Sequence, residues 1–121
     1  MGGPSARPRA RPRDLVQLVG LYSLWRMGSQ SAGRALVATL AGPDAARRTM
    51  AGMLLVKGGR RAVPLLREAL GRRAGLPLTL TVLGDVGDPS TARDLDPFLA
   101  DPDPAVARAA REAQRTLAHR S

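Results

Sequence analysis

The chain has 121 residues, no cysteine, one histidine and a formal net charge of +9 at pH 7. That length suits a single domain able to bury roughly two-thirds of its unfolded surface, and the missing cysteine excludes disulfides and thiolate metal sites. No apolar run approaches the roughly 18 residues of a membrane span, so a soluble cytoplasmic protein is expected.

The opening stretch, MGGPSARPRARPRD, carries positive charge without a following apolar segment that ends in a small-residue cleavage site, so it does not read as a signal peptide. Residues 1–13 hold four Arg and no acid, with spaced Pro. Such a basic, Pro-rich tail is expected to be disordered. Residues 14–80 carry ten basic and three acidic side chains, and 81–121 carry five basic and seven acidic. The basicity therefore belongs to the first two-thirds, where an anionic partner would be drawn. Eighteen of the nineteen cations are Arg, a usage that GC-rich coding produces without functional cause.

The first predicted helix spans 14–27, DLVQLVGLYSLWRM, and is apolar almost all round. Leu15, Leu18, Tyr22 and Trp25 form one stripe, widened by Val16, Val19 and Leu21. Two outcomes are open. The helix folds over the end of the domain and is mostly buried, or it presents a patch for dimerisation or partner docking, with Tyr22 and Trp25 as anchors.

Beyond it the chain repeats. Shifted by thirty, residues 21–40, 51–70 and 81–100 align. Ala32, Ala62 and Ala92 coincide, as do Ala35, Leu65 and Leu95, then Thr39, Ala69 and Leu99. Met50, Leu80 and Ala110 coincide further on, followed by Met53, Leu83 and Ala113. These positions recur at helical spacing and mark one buried face per helix. Two apolar stripes per unit of about thirty residues are the pattern of an α-solenoid. Helix pairs are predicted at 30–41 with 44–57, 60–71 with 75–86, and 89–100 with 103–119. Asp88 before Pro89 and Asp103 before Pro104 supply an N-cap and a first helical residue, and Asp44 serves the same role one unit earlier. Gly58 and Gly59, like Gly84 and Gly87, end helices or let backbones approach closely.

The stretch LGDVGDPSTARDLDPFLADPDPAVARAA (83–110) resembles a HEAT repeat, of the short HEAT-like type known from phycobilisome lyases. That type runs Leu-Gly-x-Ile-Gly-Asp-Pro, an apolar helix, Asp-x-Asp-x-x-Val-Arg and an Ala-rich helix. Leu83, Gly84, Val86, Gly87, Asp88, Pro89, Asp101, Asp103 and Val106 fit it. The segment AVPLL (62–66) matches the first helix of the preceding unit, including Pro64, which should bend that helix. The match is good over 60–119 and weaker over 21–59. It departs at Ala107, where the family has Arg (Arg47 keeps it one unit earlier), and at GRRAGLPL (71–78), a turn without a capping Asp. The resemblance implies an all-α, right-handed α-solenoid of about three HEAT-like helix pairs over 14–121, led by the N-terminal helix. It also implies a scaffold that binds proteins, with minorities that bind nucleic acid or small molecules.

The site residues follow from charge and register. His119 lies two residues from the end of the chain, so Ser-His and Cys-His nucleophile arrangements have no plausible base. No catalytic residue, cofactor or metal site is expected. The acids Asp85, Asp88, Asp94, Asp96, Asp101 and Asp103 are largely committed to caps and turns. Asp85 aligns with Leu55 and Arg115, on the helix that lines the concave face in the resembled family. It either pairs with Arg111 or Arg115 or serves a ligand groove. Arg47, Arg48, Arg72 and Arg73 would lie along one edge, able to grip phosphates, with Lys57, Arg60 and Arg61 at the opposite end of the helices. Arg108, Arg111 and Arg115 recur on one helix, with Glu112 able to pair with the first and last. Only Tyr22, Trp25 and Phe98 are aromatic, too few for a base-stacking platform. The expected function is a non-catalytic adaptor for another protein, a homodimer through 14–27 being one form of it. Nucleic-acid binding through the Arg edge and tail is an alternative, and a small lyase or ligand-binding protein is a third.

Overall fold

The computed structural model describes residues 11–120, so the tail residues 1–10 lie outside the described part. All regular structure among the described residues is helical: α1 (Pro12–Arg26), α2 (Gln30–Thr39), α3 (Ala45–Gly58), α4 (Ala62–Gly71), α5 (Leu78–Val86), α6 (Ala92–Leu95) and α7 (Pro104–Arg120). Single turns of 3-10 helix cover Gly59–Arg61, Pro89–Thr91 and Asp96–Phe98. The thirty-residue period is visible in these bounds, because two of the 3-10 turns start at 59 and 89 and the helices after them start at 62 and 92.

The helix starts have local causes. Pro12 occupies the first position of α1, where its missing N–H costs nothing, and the Asp14 carboxylate accepts from the Arg11 N–H at 3.2 Å. Residues 11–13, expected to belong to the tail, are therefore the beginning of the helix. Asp44 accepts from the Ala46 and Arg47 amides at 2.9 and 3.3 Å, Asp88 from Ser90 at 3.0 Å and Asp103 from Ala105 at 2.9 Å. All three aspartate caps form as expected. Ser29, which the sequence reading passed over, caps α2 by accepting from Ala32 at 3.2 Å. The turn before α5 has no such cap, and the helix starts at Leu78 rather than 75. Thr79 there donates its hydroxyl to the Ala74 carbonyl at 2.9 Å.

Pro64 falls in the first turn of α4, where no intrahelical donor is required, three residues past the end of the 3-10 turn Gly59–Arg61. One helix expectation needs correction. The single helix predicted over 89–100 is broken into 3-10, α and 3-10 pieces, because Pro97 cannot donate to the Arg93 carbonyl and so stops α6 after one turn.

Packing links α1 to α2 and α3, α2 to α3 and α4, α3 to α5, α4 to α5, and α5 and α6 to α7. One core runs through the whole set, with Leu18, Leu36, Leu55, Leu66, Leu80, Leu83 and Leu95 wholly enclosed. Each such side chain contributes roughly 1.5–3 kcal/mol. The repeat register puts Leu80, Leu83, Ala110 and Ala113 inside, as expected. Met53 departs from it and is 67% exposed. The buried face of α3 is instead Ala51, Gly52 and Leu55, and Met53 looks out beside α5 where no further helix covers it.

Glycine sets two close approaches. A Cβ at Gly84 would stand 2.8 Å from both Cα and Cβ of Ala113, so α5 and α7 meet backbone to backbone. Trp25 lies against Gly33 and Gly58, where a Cβ at either position would collide with the indole. Gly20, on the open side of α1, has nothing within 4 Å. Ala in place of Gly inside an open helix stabilises by about 1 kcal/mol, whereas overpacking costs roughly 1–3 kcal/mol. Urea unfolding should therefore show opposite signs, with Gly20→Ala more stable than the parent and Gly84→Ala less stable.

Candidate functional site

The arginines nominated as a phosphate-gripping edge are mostly engaged within the protein. Arg47, in the first turn of α3, reaches back to α1, donating from Nη1 to Asp14 Oδ1 at 2.7 Å and Gln17 Oε1 at 3.1 Å. Arg48 donates to the Gly42 carbonyl at 2.8 Å. Arg73 donates to Asp101 Oδ2 at 2.9 Å, and its guanidinium stands 5.8 Å from the Phe98 ring centroid. Arg72 alone of the four has no side-chain partner among the described residues. Carboxylates from neighbouring segments have claimed donors of Arg47 and Arg73 that an incoming phosphate would need. With Arg34–Glu68 at 3.4 Å and Arg67–Asp94 at 2.9 Å, these pairs tie alternate helices together, α1 to α3, α2 to α4 and α4 to α6.

The expected bridge from Asp85 to Arg111 or Arg115 does not form. Asp85 is exposed, and its side chain makes no hydrogen bond or ion pair among the described residues. Arg111 instead donates to the Leu99 carbonyl at 3.4 Å. Arg108 and Arg115 are exposed, and Glu112 forms no ion pair with either. Asp85 is turned toward α3, away from these arginines, because it lies on the stripe of α5 that lines a groove.

That groove encloses about 570 Å³. From α3 it takes Arg48, Thr49, Gly52, Met53, Val56 and Lys57, from α5 it takes Leu78, Thr81, Val82 and Asp85, and Arg120 closes it from α7. The α3 residues fall at i, i+1, i+4, i+5, i+8 and i+9, and those of α5 at i, i+3, i+4 and i+7. Each set is a single helical stripe. The floor is apolar, and Gly52 leaves space in it that a Cβ, 3.3 Å from Val82 Cγ2, would take up. Sequence reasoning offered a ligand groove as one of two readings of Asp85 and missed Met53, Val56 and Arg120. The spacing of Met53 and Val56 carried the signal, but the thirty-residue register had assigned Met53 to the core.

The second open surface is α1. Trp25, an anchor in one of the two readings of this helix, is only 4% exposed and belongs to the core, as the other reading has it. Tyr22 is half-buried; its ring lies edge-on to Trp25 at 6.1 Å, its hydroxyl accepts from Arg26 at 2.8 Å, and Lys57 Nζ stands 6.0 Å from the ring. The helix is nevertheless not mostly buried. Leu15, Val16, Val19 and Leu24 are exposed, as is Met27 just after its end. Only Leu18 and Trp25 are fully inside, because α1 has neighbours on one side alone.

Among the described residues no cluster of His, Cys, Asp or Glu is placed to hold a metal ion, and none of the helices is long and apolar enough to cross a membrane.

Three carboxyls are held below the ordinary aspartate value. For Asp14 the main cause is the Arg11 backbone N–H, opposed by burial and reinforced by Arg47. For Asp88 it is the Ser90 amide, and for Asp101 the Asp103 amide, with burial opposing and Arg73 adding. A depressed native pKa stabilises the fold above the unfolded value of 3.8 and loses that contribution as the pH falls through the native value. Urea midpoints should hold steady down to about pH 5 and then drop. Asp101→Asn should flatten part of that drop.

Comparison of the chain with models of protein families, with curated proteins and with solved structures finds no match. What the site can do follows from its own geometry and charge.

Proposed function

We propose that this chain is a non-catalytic binding module: a right-handed solenoid of HEAT-like helix pairs that docks another protein through the outer face of α1. Support for the solenoid comes from the packing order, in which α1, α3, α5 and α7 follow one another while α2 packs on α4. The thirty-residue spacing of the turns at 59 and 89 agrees with it.

One observation carries the binding role. Of the exposed large apolar side chains among the described residues, all but Met53 lie on α1 or at its end. Scattered exposed hydrophobics are ordinary, but a cluster on one helix marks an interaction surface. Val16 and Met27 are 72% and 83% exposed, so capping the end of the stack does not explain them. The face is flanked by Arg13 and Arg26, which set a polar rim around it. The adaptor reading is favoured over the nucleic-acid one because Arg47 and Arg73 are paired with carboxylates of the chain itself. An enzymatic role would leave Asp85 as a carboxylate without a partner group.

The test uses Val16→Asp with Leu24→Asp, positions whose side chains the fold does not need. Circular dichroism and the thermal midpoint should match the parent. Light scattering after size exclusion, together with co-purification from native extract, should show a complex with the parent at moderate salt and none with the double variant. A second copy of the chain as the partner would appear as a dimer. A parent that remains alone, or a double variant that keeps its partner, overturns the reading. Trp25→Ala is unsuitable here, since removing that buried ring costs about 3–5 kcal/mol of stability.

A further inference from the structure

We infer that the groove between α3 and α5 binds a short acidic segment of another protein, with carboxylates on either side of an apolar side chain. The inference shares with the preceding reading only that the chain binds proteins; its surface is a different one.

Charge complementarity selects the occupant. Arg48, Lys57 and Arg120 stand around the groove against the single carboxylate of Asp85, so the site is cationic overall. Arg48 is held in place by its bond to the Gly42 carbonyl and keeps further guanidinium N–H groups to donate. Lys57 makes no ion pair among the described residues. Arg120 lies against Gly87, where a Cβ would come within 2.8 Å of its Nη1, and this contact aims the last turn of α7 at the groove. Opposed cations of this kind recognise acidic motifs.

The floor between the cations sets the rest of the ligand. Met53 is 67% exposed, with Val56 and Val82 beside it, and a flexible thioether adapts to varied apolar side chains. Arg48 and Lys57 are nine residues apart on one helix, roughly 13 Å at 1.5 Å per residue. An extended peptide advances about 3.3 Å per residue, so carboxylates four residues apart span the same distance. The side chain midway between them falls over Met53. Asp85 gives the groove an acceptor without an internal partner, suited to a peptide N–H. The apolar floor of Met53, Val56 and Val82 between the cations is why a peptide, which can lay an apolar side chain there, fits better than a phosphate chain.

The probe is a fluorescein-labelled heptapeptide with Glu at its second and sixth positions, Leu at the fourth and Ser or Gly elsewhere, titrated into the full chain. Amide shifts in nitrogen-labelled protein locate the binding. Shifts should be confined to 48–57, 78–86 and the end of α7. Lys57→Glu with Arg120→Glu should weaken binding by about tenfold, and Asp85→Asn should change it by no more than about threefold. Peptides with Lys for Glu, or Ser for Leu, should not bind measurably. The Val16→Asp, Leu24→Asp variant should bind the probe as the parent does, so a failed α1 interface and a failed groove give separate results. The inference is overturned if the Ser-for-Leu peptide binds equally, which would mean charge alone, or if the shifts fall elsewhere. It is also overturned if a single-stranded oligonucleotide occupies the groove more tightly than the probe.

Discussion

The seat of Trp25 fixes what the N-terminal part of this protein can be. Its indole rests on α2 at Gly33 and on the end of α3 at Gly58, two places where even a methyl group would intrude. Large side chains normally hold helices apart, and here glycines take the opposite part so that one ring can lie between three helices. Once that ring is inside, the orientation of α1 is decided. Leu18 must point inward with it, and Val16, Val19 and Leu24 are left on the far side. The exposed apolar face is thus a geometric result of the same contact that anchors the helix. The Arg47–Asp14 pair at 2.7 Å secures the opposite end, so α1 is held at both ends and cannot roll to hide that face.

Much of the fold was legible in the sequence because helix caps and buried periodicity are local signals. Asp44, Asp88 and Asp103 mark helix starts through bonds to amides two or three residues away, and nothing distant can alter such bonds. The repeat register of Leu80 with Ala110 and of Leu83 with Ala113 was readable for the same reason. Met53 was misread because an apolar residue at a core spacing carries no mark of whether a neighbouring helix covers it. The break at Pro97 could have been foreseen from its missing donor, but the repeat pattern over 89–100 argued for continuity and was given more weight.

The site was less legible, because it depends on which side chains meet. Arg47 and Asp14 are thirty-three residues apart, and Arg73 and Asp101 twenty-eight. No spacing rule announces those pairs, so the sequence showed clustered cations where the fold shows bonded ones. Asp85 was recognised as unusual, yet its surroundings required knowing that the stripe of α3 with Met53 and Lys57 faces it. For Trp25 the sequence left a buried ring and an anchor offered to a partner both open, because the two glycines that receive it lie on other helices.

The short α6 has a consequence for how the protein opens. Its four residues lie between two 3-10 turns, and the whole stretch 89–99 holds only Thr91, Leu95 and Phe98 fully inside, whereas α7 buries six residues along one continuous helix. Local opening free energies follow such differences in buried contact and backbone bonding. Amide hydrogens of 89–101 should then exchange with solvent through a partial opening that leaves α5 and α7 paired. Arg67 and Arg73 would lose Asp94 and Asp101 in that event. The charge presented by the middle of the chain therefore varies with the excursions of its least cooperative segment.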